Sequence, residues 1–166
     1  GESGFINHSV TSEDPDFDGI FAEGIRLNVA SGDTGTVIVD ETDGNTQVVE
    51  NSDISDSYYL QMAADRPEDL VTAYVTVSAA LAGFKDRSNG GKSVKVSVDG
   101  ENFFESLVVR FDSDALAPSE YDWDRRQTIY VLAENDDAEE GERTVVISHS
   151  SYSTNPDFDN MIIANV

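Results

Sequence analysis

Cysteine is missing from this chain, and basic residues are scarce in it. Without cysteine there is no disulfide framework, no thiolate zinc site and no cysteine nucleophile. Only 10 lysines and arginines stand against 33 aspartates and glutamates, which gives a formal net charge of −23 over 166 residues. This balance argues against nucleic acid as a partner, because phosphates are bound by cations, and against an anionic membrane surface. It favours divalent cations, basic partners or a salty medium that screens the self-repulsion.

Long apolar runs and helix signals are missing as well. No hydrophobic stretch is long enough to insert across a bilayer, and no segment has the pattern of a signal peptide. No segment combines a helical apolar period with capping residues. The 39% of hydrophobic residues is nevertheless a globular proportion, so the chain has enough apolar side chains for the core of one ordinary domain.

A short segment near the N-terminus reappears near the C-terminus. Residues 6–20 and residues 147–161 share Ile, His-Ser, a further Ser and Pro-Asp-Phe-Asp in register, at a constant spacing of 141 residues. Chance is a poor explanation for so many matches at one spacing. We therefore predict that the chain contains the tail of one repeat and most of the next, cut from a tandem array.

Between the two copies, apolar residues alternate with polar ones over many short stretches. A period of two in segments rich in β-branched residues predicts half-buried strands. The alternating positions are Ile25, Leu27, Val29, Tyr58, Leu60, Met62, Ala73, Val75, Val77, Val94, Val96, Val98, Leu107, Val109, Phe111, Ile129 and Val131. Shorter apolar runs of the same kind lie at residues 36–39 and 161–163. Turn signals separate these segments, so the pattern predicts an all-β sandwich.

A tight run of carboxylates fills residues 133–143, between a strand-like segment that ends at Leu132 and another that begins at Thr144. Two strands joined by a short acidic loop form a hairpin-like corner. Carboxylates that converge on one point repel one another unless a cation lies between them, and calcium accepts six to eight oxygens in flexible geometry. The alternative is a solvated acidic turn that keeps the protein soluble.

This acidic corner and the segments on both sides of it resemble the Calx-beta domain family. The motifs are Trp123, Gln127-Thr128-Ile129, Asp136 with its neighbours, Glu140-Gly141 and His149-Ser150, in that order. Val48-Val49-Glu50, followed by Asp56-Ser57-Tyr58-Tyr59-Leu60, resembles the opening strands of the family. The branch that it resembles most is found in tandem repeats of large bacterial and algal surface proteins.

The resemblance implies an immunoglobulin-like antiparallel β-sandwich of about seven strands that binds calcium at one end. It divides the chain into residues 1–32, the tail of a preceding repeat with a junction, and residues 33–166, a Calx-beta-like repeat. It also implies an extracellular, cell-surface or adhesion protein. The expected partners are neighbouring repeats of the same chain and a cell-surface or glycan ligand.

The calcium ligands of the family are an early glutamate, a mid-domain aspartate, and a double-aspartate corner with the glutamate after it. In this chain the corresponding residues are, in the same order, Glu50, Glu101, Asp136 with Asp137, and Glu140. Glu101 is a substitute, because the mid-domain Asp-Tyr pair of the family is not intact here. Asn135 stands where the family has the first aspartate of the corner, so this chain departs from the ligand set at two places.

Three further features have a structural and a functional interpretation. Residues 14–19 match the first half of an EF-hand loop, but Ile25 takes the place of the bidentate glutamate, so we interpret both copies as Asp/Pro turns. Asp33 would bind an ion that stiffens the junction between repeats, or it belongs to a flexible linker. His8 and His149 lie at equivalent positions without a nucleophile elbow or an oxyanion hole, so we expect structural hydrogen bonds there.

The alternative function is a carbohydrate- or protein-binding module without calcium, in which Trp123, Tyr121 and Tyr130 form a stacking platform. A lone tryptophan in such a sandwich more often packs at the edge of the core. No nucleophile, base and orienting group can be assembled from the motifs, so we expect no enzyme. Residues 5–30 either complete the sheet of this domain, within the chain or by swapping, or pair with the edge of another molecule; we favour completion.

Overall fold

The computed structural model of the protein describes residues 2–20, 25–29, 36–83, 93–136 and 143–166. Over these residues the chain forms nine strands and two short 3-10 helices, Thr42–Gly44 and Ser119–Tyr121. The strands are β1 (Glu2–Ile6), β2 (Ile25–Val29), β3 (Val37–Glu41), β4 (Asp56–Met62), β5 (Thr72–Ala79), β6 (Val94–Ser97), β7 (Ser106–Asp112), β8 (Gln127–Ala133) and β9 (Ile147–Ser153). No helix in this part of the chain is long and apolar enough to span a membrane.

Seven of the described strands form a β-sandwich, which confirms the predicted all-β fold class. One sheet has the order β3-β4-β8-β6 and the other the order β7-β5-β9, and all strand pairs in them are antiparallel. Counted from β3, the sheets are 1-2-6-4 and 5-3-7. A constant-type immunoglobulin domain has the orders 1-2-5-4 and 3-6-7. The sandwich therefore shares the two-layer architecture, but the fifth and sixth strands are exchanged between the sheets, and the third strand takes the centre of the three-stranded sheet.

The core lies between the two sheets, where the inward residues of each strand meet. The most deeply buried apolar residues include Tyr58, Leu60, Ala73, Val75, Val77, Val96, Phe111, Trp123, Ile129 and Val131. The predicted alternation is wrong at Val98, which is exposed and lies beyond the end of β6. The chain turns there because Asp99 Oδ1 accepts hydrogen bonds from the amides of Glu101 and Asn102, at 2.9 and 2.8 Å.

The two copies of the sequence repeat form the same turn; we call residues 6–20 the first copy and residues 147–161 the second copy. The amide of Ser12 donates to Asp18 Oδ1 at 3.1 Å, and the amide of Ser153 donates to Asp159 Oδ1 at 3.2 Å. Four more hydrogen bonds of the first copy recur in the second. Two are accepted by side chains: Asp14 N→Ser12 Oγ recurs as Asn155 N→Ser153 Oγ, and Asp16 N→Asp14 Oδ1 recurs as Asp157 N→Asn155 Oδ1. Two are accepted by carbonyls: Phe17 N→Asp14 O recurs as Phe158 N→Asn155 O, and Gly19 N→Val10 O recurs as Asn160 N→Ser151 O. The repeat of the sequence is thus also a repeat of the backbone.

The N-terminal strands form a sheet of their own. β1 and β2 pair in antiparallel register from Glu2↔Val29 to Ile6↔Ile25. Over the described residues neither strand joins the two sheets of the sandwich. We favoured from the sequence that residues 5–30 complete the sheet of this domain. The strand pairs that the structure describes do not include that completion.

Candidate metal centre

The acidic end of the sandwich begins where β8 leaves its sheet. Glu134, the residue after β8, donates its amide to Ser93 O at 2.9 Å. Asn135 and Asp136 follow, and after them the corner is described again at Arg143. The predicted ligands Asp137 and Glu140 lie outside the described residues, and so does Asp33 at the junction. The described part of the corner is therefore residues 133–136 together with Arg143.

A hydrogen bond joins two of the predicted ligands. Glu50 Oε1 accepts the backbone N–H of Asp136 at 2.9 Å, although the two residues are 86 positions apart in the chain. Glu50 precedes β4 and Asp136 follows β8, and these two strands are direct neighbours in the four-stranded sheet. Both residues are half-buried. The antiparallel pairing of the strands is what brings the early glutamate to the acidic corner.

Asp56 holds the loop that carries Glu50. Its Oδ2 accepts the amide of Gln47 at 2.7 Å, and its Oδ1 accepts the amide of Ser57 at 2.7 Å and the hydroxyl of Thr42 at 3.0 Å. Burial acts to raise the pKa of Asp56, but the bonds from Gln47, Ser57 and Thr42 outweigh it and lower the pKa. The carboxylate of Asp56 is therefore charged and occupied by donors of its own loop.

A cleft of about 370 Å³ lies beside the Glu50–Asp136 contact. Residues that offer side-chain oxygen atoms along its lining are Asn51, Ser52, Asp53, Glu101, Glu134 and Asn135. Glu101, the third predicted ligand, is thus brought to the same end of the molecule as the corner. Asn51 and Asp53 lie within three residues of Glu50. The prediction of Glu50 as a ligand could therefore have been extended to these two neighbours in the sequence.

A lysine that no motif of the sequence singled out, Lys95, lines this cleft. Lys95 Nζ lies 3.0 Å from Glu134 Oε1, and both side chains are partly buried. Lys95 stands opposite Leu132 in the β6–β8 ladder. Leu132 precedes Glu134 by two residues, so the pairing brings Lys95 close to Glu134. The alternation of Val94, Lys95 and Val96 indicated that this lysine lies on the face away from the core. Its charge partly offsets that of the surrounding carboxylates.

The donor atoms in this region are oxygens, which are the ligands that calcium prefers. In the described part of the chain, however, no three or more His, Cys, Asp or Glu side chains are grouped closely enough to hold a metal ion. Three of the five predicted ligands are therefore described. Glu50 and Asp136 are bonded to each other, and Glu101 lines the adjoining cleft. The set fits calcium in its chemistry, and its other two members are Asp137 and Glu140.

His149 makes structural hydrogen bonds across the sandwich. Tyr58 on β4 donates its O–H to His149 Nε2 at 2.8 Å, and His149 Nδ1 donates to Ala164 O at 2.7 Å, a tautomer that follows because a carbonyl only accepts. Burial lowers the pKa of His149, although the bond to Ala164 acts in the opposite direction. Burial, with the charge of Glu41, raises the pKa of Tyr58 far above its usual range. The pair links the two sheets.

Trp123 offers no surface for stacking on a sugar. Its side chain is fully buried, its Nε1 donates to Ala64 O at 3.0 Å, and its ring packs edge-on against Phe158 with centroids 4.9 Å apart. Tyr121, another member of the proposed aromatic platform, lies under the guanidinium of Arg110 at 5.0 Å. The carbohydrate-binding alternative therefore lacks its central residue.

At the opposite end of the sandwich, aspartates are paired with arginines. Arg66 Nη2 lies 2.7 Å from Asp122 Oδ1 and 2.8 Å from Asp124 Oδ2. The bond to Arg66 lowers the pKa of Asp122. Arg110 forms an ion pair with Asp112 in the same region. Negative charge is neutralised there by side chains of the protein itself.

A scan against protein-family models found no match for the chain, and searches of curated proteins and of solved structures found none either. The resemblance to the Calx-beta family therefore stays a prediction that depends on the motifs quoted above.

Proposed function

We propose that the chain is a structural repeat of a large extracellular cell-surface or adhesion protein, and that calcium binds at the acidic end of its sandwich. The observation that carries this proposal is the internal repeat, whose two copies share sequence and turn geometry at a spacing of 141 residues. A segment that reappears with the same sequence and the same turn is expected when a chain is cut from an array of repeats. The extracellular location and the adhesive role are supported by the resemblance to the surface-protein branch of the family.

The calcium part of the proposal is supported by the contact between Glu50 and Asp136. These two residues would hold the ion together with Asp137 and Glu140 of the same corner, and Glu101 is the fifth candidate. A bound calcium ion supplies two positive charges and accepts six to eight oxygens. It would offset the mutual repulsion of the carboxylates and tie the loop before β4 to the loop after β8.

The proposed role is structural and passive. His149 and Tyr58 are bonded to each other across the core, and Asp56 is saturated by donors of its own loop. The neighbouring repeats of the same chain are the first partners in this role.

Thermal unfolding with calcium, with magnesium and with a chelator tests the calcium site. A ligand present at 100 times its Kd stabilises a protein by about 2.7 kcal/mol, which corresponds to a rise in Tm of about 10 °C for a domain of this size. We expect that rise with calcium and a much smaller one with magnesium, because magnesium demands stricter octahedral geometry. The same melt is then repeated with Glu50→Gln and Glu68→Gln.

Each variant removes one negative charge, but the two charges lie at opposite ends of the sandwich. Glu50→Gln keeps an oxygen that accepts the amide of Asp136 but loses the charge, so the calcium-dependent rise should fall by at least half. Glu68→Gln removes an exposed carboxylate in the segment of Arg66, at the opposite end, and should keep the full rise. Equal Tm values in calcium and in chelator would contradict the calcium site and favour a spacer or a protein-binding module without metal.

A further inference from the structure

The two copies of the repeat differ in the burial of their apolar side chains. The corresponding pairs are Ile6 (44% exposed) with Ile147 (2%), Phe17 (57%) with Phe158 (7%), and Ile20 (47%) with Met161 (9%). The side chains are equal or similar in kind, and the turn within each copy has the same hydrogen bonds. The first copy therefore presents an apolar surface that the second copy keeps inside the core.

The structure shows what covers that surface in the second copy. β9 pairs with β5 in register from Ala73↔Ser153 to Ala79↔Ile147. Phe158 packs edge-on against Trp123. These covering elements belong to residues 33–142, the part of the repeat that precedes the second copy. In the first copy, residues 7–20 belong to no described strand.

The correspondence extends beyond the turn. β1 and β2 meet at the pair Ile6↔Ile25. In the second copy, Ile147 N donates to Val166 O at 2.7 Å and Val166 N donates to Ile147 O at 3.1 Å. Since these residue numbers differ by the same 141 positions, the pair that joins β1 to β2 has its counterpart at Ile147 and Val166. The hairpin β1–β2 is therefore built like the closing segment of a sandwich.

We infer that the first copy is a docking surface for a second sandwich of this same kind. Residues 6–12 add to that sandwich as its last strand, against the strand that corresponds to β5. Phe17 and Ile20 pack against the tryptophan that corresponds to Trp123. The inference depends on the proposed tandem-repeat function, and it names the partner as residues 33–142 of another copy.

Such docking has two components that are visible in the second copy. The backbone of the added strand pairs with the edge of β5, as an extended segment does in strand addition to an open sheet edge. The side chains of the turn then remove apolar surface from water. When the two parts lie in one chain, the association is intramolecular, and the effective concentration favours it over capture of an unrelated protein.

A two-repeat chain tests the inference. Residues 33–142 are placed directly before residue 2 of the full chain, a join that keeps the natural spacing because residue 142 corresponds to residue 1. Hydrogen exchange is then compared between this chain and the 166-residue chain. We expect the amides of residues 6–12 to exchange at least about 100-fold more slowly in the two-repeat chain. Equal exchange in the two chains would overturn the inference.

Engineered cysteines test the register without disturbing the core. Tyr74 and Tyr152 are exposed partners in the β5–β9 ladder, and Thr11 corresponds to Tyr152. In the two-repeat chain, Thr11→Cys with Tyr74→Cys in the leading segment should form a disulfide under mild oxidation, because the chain has no other cysteine. Glu13→Cys with the same partner should not. Absence of the Thr11 disulfide, or equal yield from Glu13→Cys, contradicts the proposed register.

Phe17→Asp adds a readout of the packing itself. In the two-repeat chain it should lower the Tm of one sandwich by more than about 10 °C, whereas in the 166-residue chain it should change little, because Phe17 is exposed there. All three measurements are made in calcium and in chelator. A calcium-independent disulfide with no calcium effect on Tm would support the docking and refute the metal site, so the two proposals fail separately.

Discussion

The first and second copies have almost the same local geometry and very different surroundings. The five hydrogen bonds of the turn recur in both, and they are formed within a few residues of each other by Ser, Asp, Asn and the backbone. The apolar residues of the same segments are exposed in the first copy and buried in the second. The comparison separates what a short sequence determines alone from what needs a partner.

Local hydrogen bonding needs only the correct residues at the correct spacing. Asp14 and Asn155 differ, yet both accept the amide two residues further on, which is the Asx turn that either side chain favours. Gly19 and Asn160 also differ, and both have positive φ, at +70° and +52°. Burial depends on the sheet and on Trp123, which lie far away in the chain. Substitutions at corresponding positions should therefore have different effects on stability.

The largest difference is expected at the two phenylalanines. Phe158→Ala removes a buried ring that packs against Trp123, and should lower the free energy of unfolding by about 3–5 kcal/mol. Phe17→Ala should change it by less than about 0.5 kcal/mol in this chain, as is usual at an exposed position. Urea unfolding followed by the fluorescence of Trp123 measures both. A cost at Phe17 that approaches the cost at Phe158 would show that the first copy is already buried in solution.

A smaller difference is expected at the aspartates that close the turns. Asp159 accepts the amide of Ser153, a buried residue, so Asp159→Ala leaves that donor unsatisfied and should lower the free energy of unfolding by about 1–2 kcal/mol. Asp159→Asn keeps an acceptor at the same place and should lose less. Asp18→Ala breaks the equivalent bond in an exposed turn and should leave global unfolding unchanged. Equal losses at Asp18 and Asp159 would remove the distinction between the copies.

The sequence predicted the parts of the molecule that have a regular pattern. The buried positions of β4 and β5 follow from strict alternation, and the two-layer sandwich follows from many such segments. The exchange of the fifth and sixth strands leaves no mark in any single strand, because pairing partners are chosen across the whole chain. The same holds for Lys95 in the cleft, whose position depends on the β6–β8 register rather than on its neighbours in sequence.

The candidate site was predicted to a smaller extent than the fold. The contact of Glu50 with Asp136 agrees with the predicted ligand set, and Glu101 lies at the adjoining cleft. Asp99 shows why composition alone is a poor guide in so acidic a chain. Its carboxylate is occupied by Ser97 and by the amides of Glu101 and Asn102, and the bonds from Asn102 are the main cause of its lowered pKa. Many carboxylates of this chain are parts of turns.

The smallest effect is expected at the two histidines, and it depends on pH. Burial lowers the pKa of His149 in the folded chain, below the value of about 6.5 that a histidine has when unfolded. As the pH falls below that value, the unfolded chain takes up the proton first, so the stability present at pH 7 is lost progressively until the pH reaches the folded pKa. The loss is limited to about 1.4 kcal/mol per pH unit, the value for one proton.

Comparison with histidine variants isolates this contribution from the carboxylates. The free energy of unfolding is measured from pH 7 to pH 5 for the wild type, for His149→Gln and for His8→Gln. The advantage of the wild type over His149→Gln should shrink as the pH falls, because only the wild type carries the buried imidazole bonded to Tyr58. His8→Gln changes the exposed histidine of the first copy and is the matched control for a substitution outside the core. A constant difference between the wild type and His149→Gln would mean that His149 binds its proton equally well in the folded and the unfolded chain. That result would contradict a buried, neutral imidazole between Tyr58 and Ala164.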